Sequence, residues 1–429
     1  MKIVFTGGRG RSGPLTWGQR HVLRAAGTTA PQVRVVPVPD VGVPRVADAL
    51  ARLVARHEAL RTRRSGPDEQ HVHDSGTLAV ELVRCGPGES TAAAEAARDR
   101  LAGPFDNGAD WPVRAALVAP GEQDRPDVRH VVLVCSPLAV DHEGMELVVK
   151  DLVVLLRGAL PVRTGPQPVD DAVAQRSEHG ARMTGRAIRF WTGELARVLA
   201  AGEAVAARAP GERYAATLRS PAMDTAAHAI AGRHGVSAST VYLAATGGLV
   251  GALAGGPVAA LRTVVSNRFY PDRRDVVAAI AQDGVLSLDL TVPTFGDLVQ
   301  LAWRETMRAH RFARYDPDLL ADAVTPPFAC FDDSRLARRD VPALPVQAAL
   351  RTSAERSSLT WSRTRARDAF AVLVDGAGVT VRADGDLVSR ADLESWLRAL
   401  EGLLISAAYR DVATSELAAL VAGTTGPRG

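Results

Sequence analysis

Helical and extended patterns alternate along the whole chain, and this alternation constrains the fold more than any other feature. In the first half, residues 33–39 form a strand-like run. Pro44 can open the helix that follows, which sets Val46, Leu50, Leu53 and Val54 at i, i+4, i+7 and i+8 on one face. Residues 70–73 and 78–84 read as strands, Ser90–Leu101 as an alanine-rich helix, and 113–118 and 130–135 as further strands. The last of these is nearly all apolar, the mark of a central strand. Met145, Val148, Val149, Leu152, Leu155 and Leu156 give the next helix its buried face. The second half repeats the mixture, with helices at 187–199 and Arg390–Ala407 and strands at Val258–Val265, 285–290, 371–374 and 378–383. The pattern predicts a mixed α/β (α+β) protein. At 429 residues the chain exceeds the ~250–300 at which a single core stops growing, so two lobes are predicted. Pro161, Pro166 and Pro168 with two glycines mark 158–171 as the best linker, which puts the N-terminal lobe at 1–175 and the C-terminal lobe at 176–429.

Composition excludes several functions. Lys2 and Lys150 are the only lysines among 51 basic residues, yet 48 acids are interspersed with the arginines. The arginine excess therefore reads as coding bias, and no nucleic-acid partner is expected. Cys85, Cys135 and Cys330 are far apart with no CxxC pair, which argues against zinc knuckles and disulfide frameworks and fits a reducing cytoplasm. The first residues lack the apolar core of a signal peptide. Residues 235–261 carry no charge, but glycines from Gly247 to Gly256 and then Pro257 interrupt them. This stretch reads as a buried helix, a turn and a strand rather than a membrane span.

Gly8, Gly10 and Gly13 spell G-x-G-x-x-G after a strand at Lys2–Thr6. A helical stretch at 15–26 follows, then the strand at 33–39, closed by Asp40. This is the outline of a dinucleotide-binding unit, in which glycines admit pyrophosphate to a helix N-terminus and an acid holds ribose. Against it, Pro14 follows the third glycine directly, and Asp40 lies beyond the usual ~20-residue interval. The competing reading is a flexible glycine/arginine segment ahead of the first helix.

A second signature spans residues 14 to 410. Arg56-His57-Glu58-Ala59-Leu60-Arg61-Thr62 closely resembles the RHExLRT motif of condensation domains from nonribosomal peptide synthetases. In the same register, Pro14-Leu15-Thr16-Trp17-Gly18-Gln19-Arg20 is similar to the family's opening LSxxQ helix. Pro104-Phe105-Asp106 with Trp111-Pro112-Val113-Arg114 is similar to its PFDL…GPLLR turn and strand. Phe190-Trp191 with Glu194-Leu195 resembles the helix that opens the second lobe. Asn267-Arg268, 286–290 and Thr294-Phe295 resemble a later block. The resemblance implies two chloramphenicol-acetyltransferase-like lobes in a V-shaped pseudo-dimer, with a central tunnel where carrier-bound donor and acceptor meet.

The family's reaction centre is HHxxxDG at a strand-to-helix junction. Counting back from Asp151-Leu152, the motif's Asp falls on Asp141, the two histidines on Ser136 and Pro137, and the Gly on His142. Proline cannot accept a proton, so the ~10²–10⁴-fold contribution of a general base cannot come from Pro137. Heterocyclising relatives use DxxxxD in the same place; here that spacing gives Ser136…Asp141, which keeps only the second acid. His142 is then the best local proton-transfer group. The resemblance also implies a structural salt bridge between Asp141 and Arg268. His57 reads as a satisfied core histidine and Arg61 as a structural anchor. His142 with Glu146, and His71 with His73, each lack a third ligand, so no metal is expected, and no cofactor is expected either. Ser136 has no G-x-S-x-G elbow around it.

The resulting expectation is a monomeric, stand-alone condensation-domain-like protein of natural-product biosynthesis. It would act on a carrier-bound acyl or aminoacyl thioester supplied in trans, in a diverged acyl-transfer or cyclisation step carried by His142, Asp141 and Ser136. The alternative is a catalytically silent module that recruits a carrier protein or tailoring enzyme. The glycine-motif reading is the third.

Overall fold

The structure of the chain is a computed structural model that describes all residues except 26–28, 122–126, 163–164, 201–211, 324–328, 336–342, 365–368, 377, 386–387 and 423–429. Its first elements are β1 (Lys2–Thr6), β2 (Arg11–Pro14), α1 (Trp17–Arg24), β3 (Gln32–Gly42), α2 (Val43–Arg56), a 3-10 turn (Glu58–Arg61), β4 (Thr62–Arg64), β5 (Glu69–Val72) and β6 (Ser75–Cys85). Then come α3 (Ser90–Leu101), β7 (Val113–Pro120), β8 (Asp127–Cys135), α4 (His142–Leu156), α5 (Pro168–Gln175) and α6 (Glu178–Ala200). The remainder comprises β9 (Arg213–Arg219), α7 (Pro221–His234), α8 (Ala238–Ala254), β10 (Val258–Val265), β11 (Gln282–Asp289), α9 (Phe295–Arg311) and α10 (Pro317–Ala323). It ends with β12 (Ala329–Asp333), α11 (Gln347–Ala354), β13 (Ser358–Arg363), β14 (Phe370–Asp375), β15 (Gly378–Asp384), α12 (Arg390–Ala407) and α13 (Glu416–Ala422).

These elements divide into two units. One comprises Met1–Thr184, Ser266–Gln282 and Arg314–Leu319, the other Gly185–Val265, Asp283–Ala313 and Leu320–Gly429. In the first unit, five strands run in the order β1-β6-β7-β8-β3, and β2-β5-β4 form a small separate sheet. Strand periodicity sorts the side chains. Ala115, Leu117, Val131 and Leu133 join Val46, Leu50 and Leu53 of α2 and Met145, Val148 and Leu152 of α4. Ala116, Val118, Val132 and Val134 face Ala94 and Ala97 of α3 instead. Covered on both faces, β8 has no use for a polar residue near its end, hence its apolar run.

The segment Ser266–Gln282 lies between β10 and β11 in sequence but folds with the first unit. Val277 enters the main core, and Val276, Ala278 and Ile280 pack with Ala59. Arg273 pairs with the buried Asp171 at 2.5 and 2.7 Å. Gly18 of α1 lies so close to this segment that a Cβ there would come within 2.0 Å of the Ala279 carbonyl oxygen.

The glycine-motif reading is overturned here. A dinucleotide unit needs its first two strands side by side, yet β1 and β3 sit at opposite edges of the five-stranded sheet. Gly13 lies inside β2, opposite Gln70 of β5, and α1 opens only at Trp17, so the third glycine is in a strand and not in the helix where a phosphate site would need it. A Cβ on Gly13 would come within 2.6 Å of Val169, so this glycine serves close packing, whereas one on Gly8 would meet nothing within 4 Å. Arg9 and Arg11 are both paired with Glu58 and Asp170. The side chain of Asp40 lies outside the described residues.

The second unit carries a seven-stranded sheet, β11-β10-β12-β14-β15-β9-β13, packed with α7, α8, α9 and α12 around one core. The charge-free stretch resolves into α8 and β10. Gly247 and Gly251 let α8 approach the sheet, since Cβ atoms there would come within 2.5 Å of Leu288 and 2.1 Å of Leu290. Among the described residues, no single helix is long and apolar enough to cross a membrane.

Candidate functional site

The segment matched to the reaction-centre motif is the turn from β8 into α4. Its shape follows from local chemistry. Ser136 and Pro137 occupy the first two positions of a tight turn, where serine and proline are favoured, and the Ala139 amide donates to the Ser136 carbonyl at 2.9 Å. The Ser136 hydroxyl is buried. It donates to Asn107 Oδ1 at 2.6 Å and accepts from the Leu138 amide at 3.2 Å. The residue replacing the motif's first histidine therefore spends its polar group on holding the turn. Beside it a narrow crevice is lined by Gln19, Thr62, Arg63, Asn107, Pro112 and Leu138, among others. The neighbouring Cys135 thiol is fully buried, and burial pushes its pKa up to about 12, which leaves it protonated and unreactive.

Asp141 caps α4, its Oδ1 accepting from the Gly144 amide at 2.7 Å. The same carboxylate meets the Arg268 guanidinium at 2.8 Å, and its Oδ2 accepts from the amides of Ile280 and Ala281, each at 2.9 Å. Arg268 is buried and donates further to the carbonyls of Val276 and Ala278. Asn267 beside it takes a left-handed backbone (φ 59°), and its side chain donates to the Ile280 carbonyl at 3.0 Å. Gly144 fits closely here: a Cβ would stand 3.0 Å from Arg268, Asp141 and the Ala278 carbonyl, a tight contact that would press on the pair. Asp141 and Arg268 thus form a latch that pins residues 276–281 against the start of α4. With its acceptor capacity filled, Asp141 has no room for a proton-transfer role in this arrangement.

His142 is the first residue of α4. Its Nδ1 faces Arg34 Nη2 of β3 at 3.2 Å, and Arg34 is clamped by Glu146 Oε1 at 2.5 Å. Its Nε2 is shielded from solvent and has no hydrogen-bond partner among the described residues. Burial, reinforced by the Arg34 charge, pushes the imidazole below its ordinary pKa. Glu146 therefore pairs with Arg34 rather than sharing a metal with His142.

The other singled-out residues have partners within the fold. His57 is buried and bonds Asp151 Oδ2 through Nε2 at 2.8 Å; burial pushes its pKa down against the pull of Asp151. Arg61 is buried among the carbonyls of Arg9, His73 and Ala55. Arg114 ties the connection from α3 to β7 by donating to the carbonyls of Leu101, Gly103 and Pro104 and to the Asp110 carboxylate. Glu194 of α6 accepts from Ser287 at 2.5 Å. His71 and His73 stack edge to face at 4.6 Å, and Ser12 holds His71 Nδ1 at 2.8 Å. Among the described residues no group of three or more His, Cys, Asp or Glu is placed to hold a metal ion. The sequence reading missed Arg34, Asn107 and the amides of Ile280 and Ala281. Only Arg34 left a signal, as the single charge in the apolar run 33–39.

No protein-family model and no curated protein matches the sequence. Solved structures do match. A structure on condensation domain-mediated chain release from the enacyloxin polyketide synthase aligns at TM-score 0.70 and 18% identity, covering 91% of this chain and 81% of that one. The X-domain from teicoplanin biosynthesis, in complex with OxyB, aligns at TM-score 0.64 and 21% identity over 96% of both chains. The cyclization-docking bidomain of EpoB from Sorangium cellulosum aligns at TM-score 0.61 and 17% identity, covering 93% and 84%. The chain has the condensation-domain fold.

Proposed function

We propose, from the condensation-domain fold of this chain, that it serves natural-product biosynthesis of the nonribosomal peptide or polyketide kind by binding a carrier-bound acyl or aminoacyl thioester supplied in trans. It does so without the histidine-based amide formation that the intact motif would support. The observation that carries this reading is the occupancy of the motif segment. Ser136 is committed to Asn107, Asp141 to Arg268 and two amides, Pro137 has nothing to titrate, and Cys135 is sealed. A general base must reach the proton it removes, and none of these groups is free to do so. The likeness to an X-domain solved with a partner protein supports a module that presents its cargo to another enzyme.

A second reading, a diverged acyl-transfer or cyclisation step, is favoured by His142 alone, whose Nε2 has no hydrogen-bond partner among the described residues. Intact-protein mass spectrometry separates the two. The chain is mixed with an acylated carrier protein from its own pathway, and binding is followed by calorimetry. Binding with no change in carrier mass supports the silent module. Acyl loss or transfer that disappears in His142→Ala supports the enzyme, and absence of binding overturns both.

A further inference from the structure

We propose that Arg34 and Glu146 are positioning residues that hold His142 as a neutral hydrogen-bond donor, its Nε2–H reserved for an oxygen acceptor such as an acyl carbonyl. Arginine only donates, so the contact from Arg34 Nη2 to His142 Nδ1 at 3.2 Å requires a bare lone pair on Nδ1. The ring's one proton then resides on Nε2. Arg34 cannot easily turn away, because Glu146 Oε1 holds its Nε at 2.5 Å and the Val33 carbonyl holds its Nη1 at 2.7 Å. A second proton on the ring would face Arg34 and would also sit at the positive end of the 15-residue helix α4. The nearby acids Asp141, Glu143 and Glu146 pull the other way, but Asp141 is spent on Arg268 and Glu146 on Arg34.

Among the described residues the Nε2–H is left buried and unpaired, a state native proteins usually avoid by pairing such a group with protein, water or a ligand. A neutral imidazole fixed as donor at a helix start is a recognised way to polarise a carbonyl. Reaching it requires the groups that cover Nε2 to yield. The identity of the acceptor as a thioester carbonyl rests on the function proposed above; the protonation state does not.

The test is a nitrogen-15 NMR pH titration of His142 in the full-length chain, followed by addition of S-acetylpantetheine as a soluble thioester probe. In the wild type, Nδ1 should read as unprotonated and Nε2 as protonated, with the ring staying neutral below the ordinary imidazole midpoint. Arg34→Met should raise the proton affinity about tenfold or more, whereas Arg34→Lys, which keeps the charge, should not. The probe should move the Nε2 proton resonance of the wild type. A wild-type His142 that titrates normally, or carries its proton on Nδ1, overturns the proposal even if no Arg34 variant folds. An unmoved Nε2 resonance overturns the donor role. Failure of carrier binding with the titration intact sinks the proposed function and leaves the positioning role standing.

Discussion

Asp141 and Arg268 stand 127 positions apart in the chain, and their side chains meet at 2.8 Å within one folding unit. Breaking a buried pair from one side leaves a charge without compensation, at a cost of ~3–5 kcal/mol. Asp141→Ala should therefore lower the melting temperature strongly, with Arg268→Met close behind. Because the two share one contact, the double variant should lose clearly less than the two single losses added together. Strict additivity by denaturant titration would show that the latch is not an energetic unit.

Gly18 offers a sharper test of how the segment 276–281 is held. The Cβ of alanine would come within 2.0 Å of the Ala279 carbonyl oxygen, and backbone cannot swing aside as a flexible side chain can. Overpacking of this kind typically costs ~1–3 kcal/mol. Gly18→Ala should destabilise the protein even though alanine is the better helix former. A neutral or stabilising result by thermal melting would contradict the close approach.

Asp332 lies on β12 among Asp333, Asp283 and Asp375, and burial with those charges raises its pKa to about 6. In the unfolded chain it titrates near ~3.9, so between these values the native state binds the extra proton. The corresponding stability is fully present below about pH 4 and is lost as pH rises through about 6. The loss should amount to ~1–3 kcal/mol. Urea midpoints at pH 5 and pH 7 should fall for the wild type and much less for Asp332→Asn. Equal falls in both proteins would remove Asp332 as the cause.

The cysteines should differ in reactivity. Cys135 is fully buried with its thiol pushed up to about 12, while Cys85 is only half-buried and shifted less. Iodoacetamide at neutral pH should label Cys85 first and reach Cys135 only after unfolding, as peptide mapping would reveal. Labelling of Cys135 at the native rate of Cys85 would contradict the burial of the β8 end.

Much of the fold was legible because burial writes itself into period. The bounds of α3 showed as an alanine-rich run and those of α12 fell where the last helical stretch was read, while the apolar run of β8 betrayed its two-sided burial. Strands β9, β12 and β13 escaped. Arg213–Arg219 mixes arginines with small residues, Ala329–Asp333 is short and ends in two acids, and Ser358–Arg363 is an exposed edge with no buried face to impose a pattern. The site was legible where a side chain does the work and a motif marks it: the pairing of Asp141 with Arg268 came from the family resemblance, which names both side chains. The Ile280 and Ala281 amides were not, since every residue but proline carries one. Serine and proline at 136 and 137 looked like the loss of two histidines. The structure adds what took their place, a turn that those two residues favour and that Asn107 secures.

The residence of Ser266–Gln282 in the first unit bears on how such a protein could be inherited or rebuilt. A gene cut after Thr184 and joined to another would leave Asp141 behind without Arg268, and Gly18 without the backbone it fits. Exchange between relatives would have to carry Met1–Thr184, Ser266–Gln282 and Arg314–Leu319 together, so recombination should favour moving both units as one block.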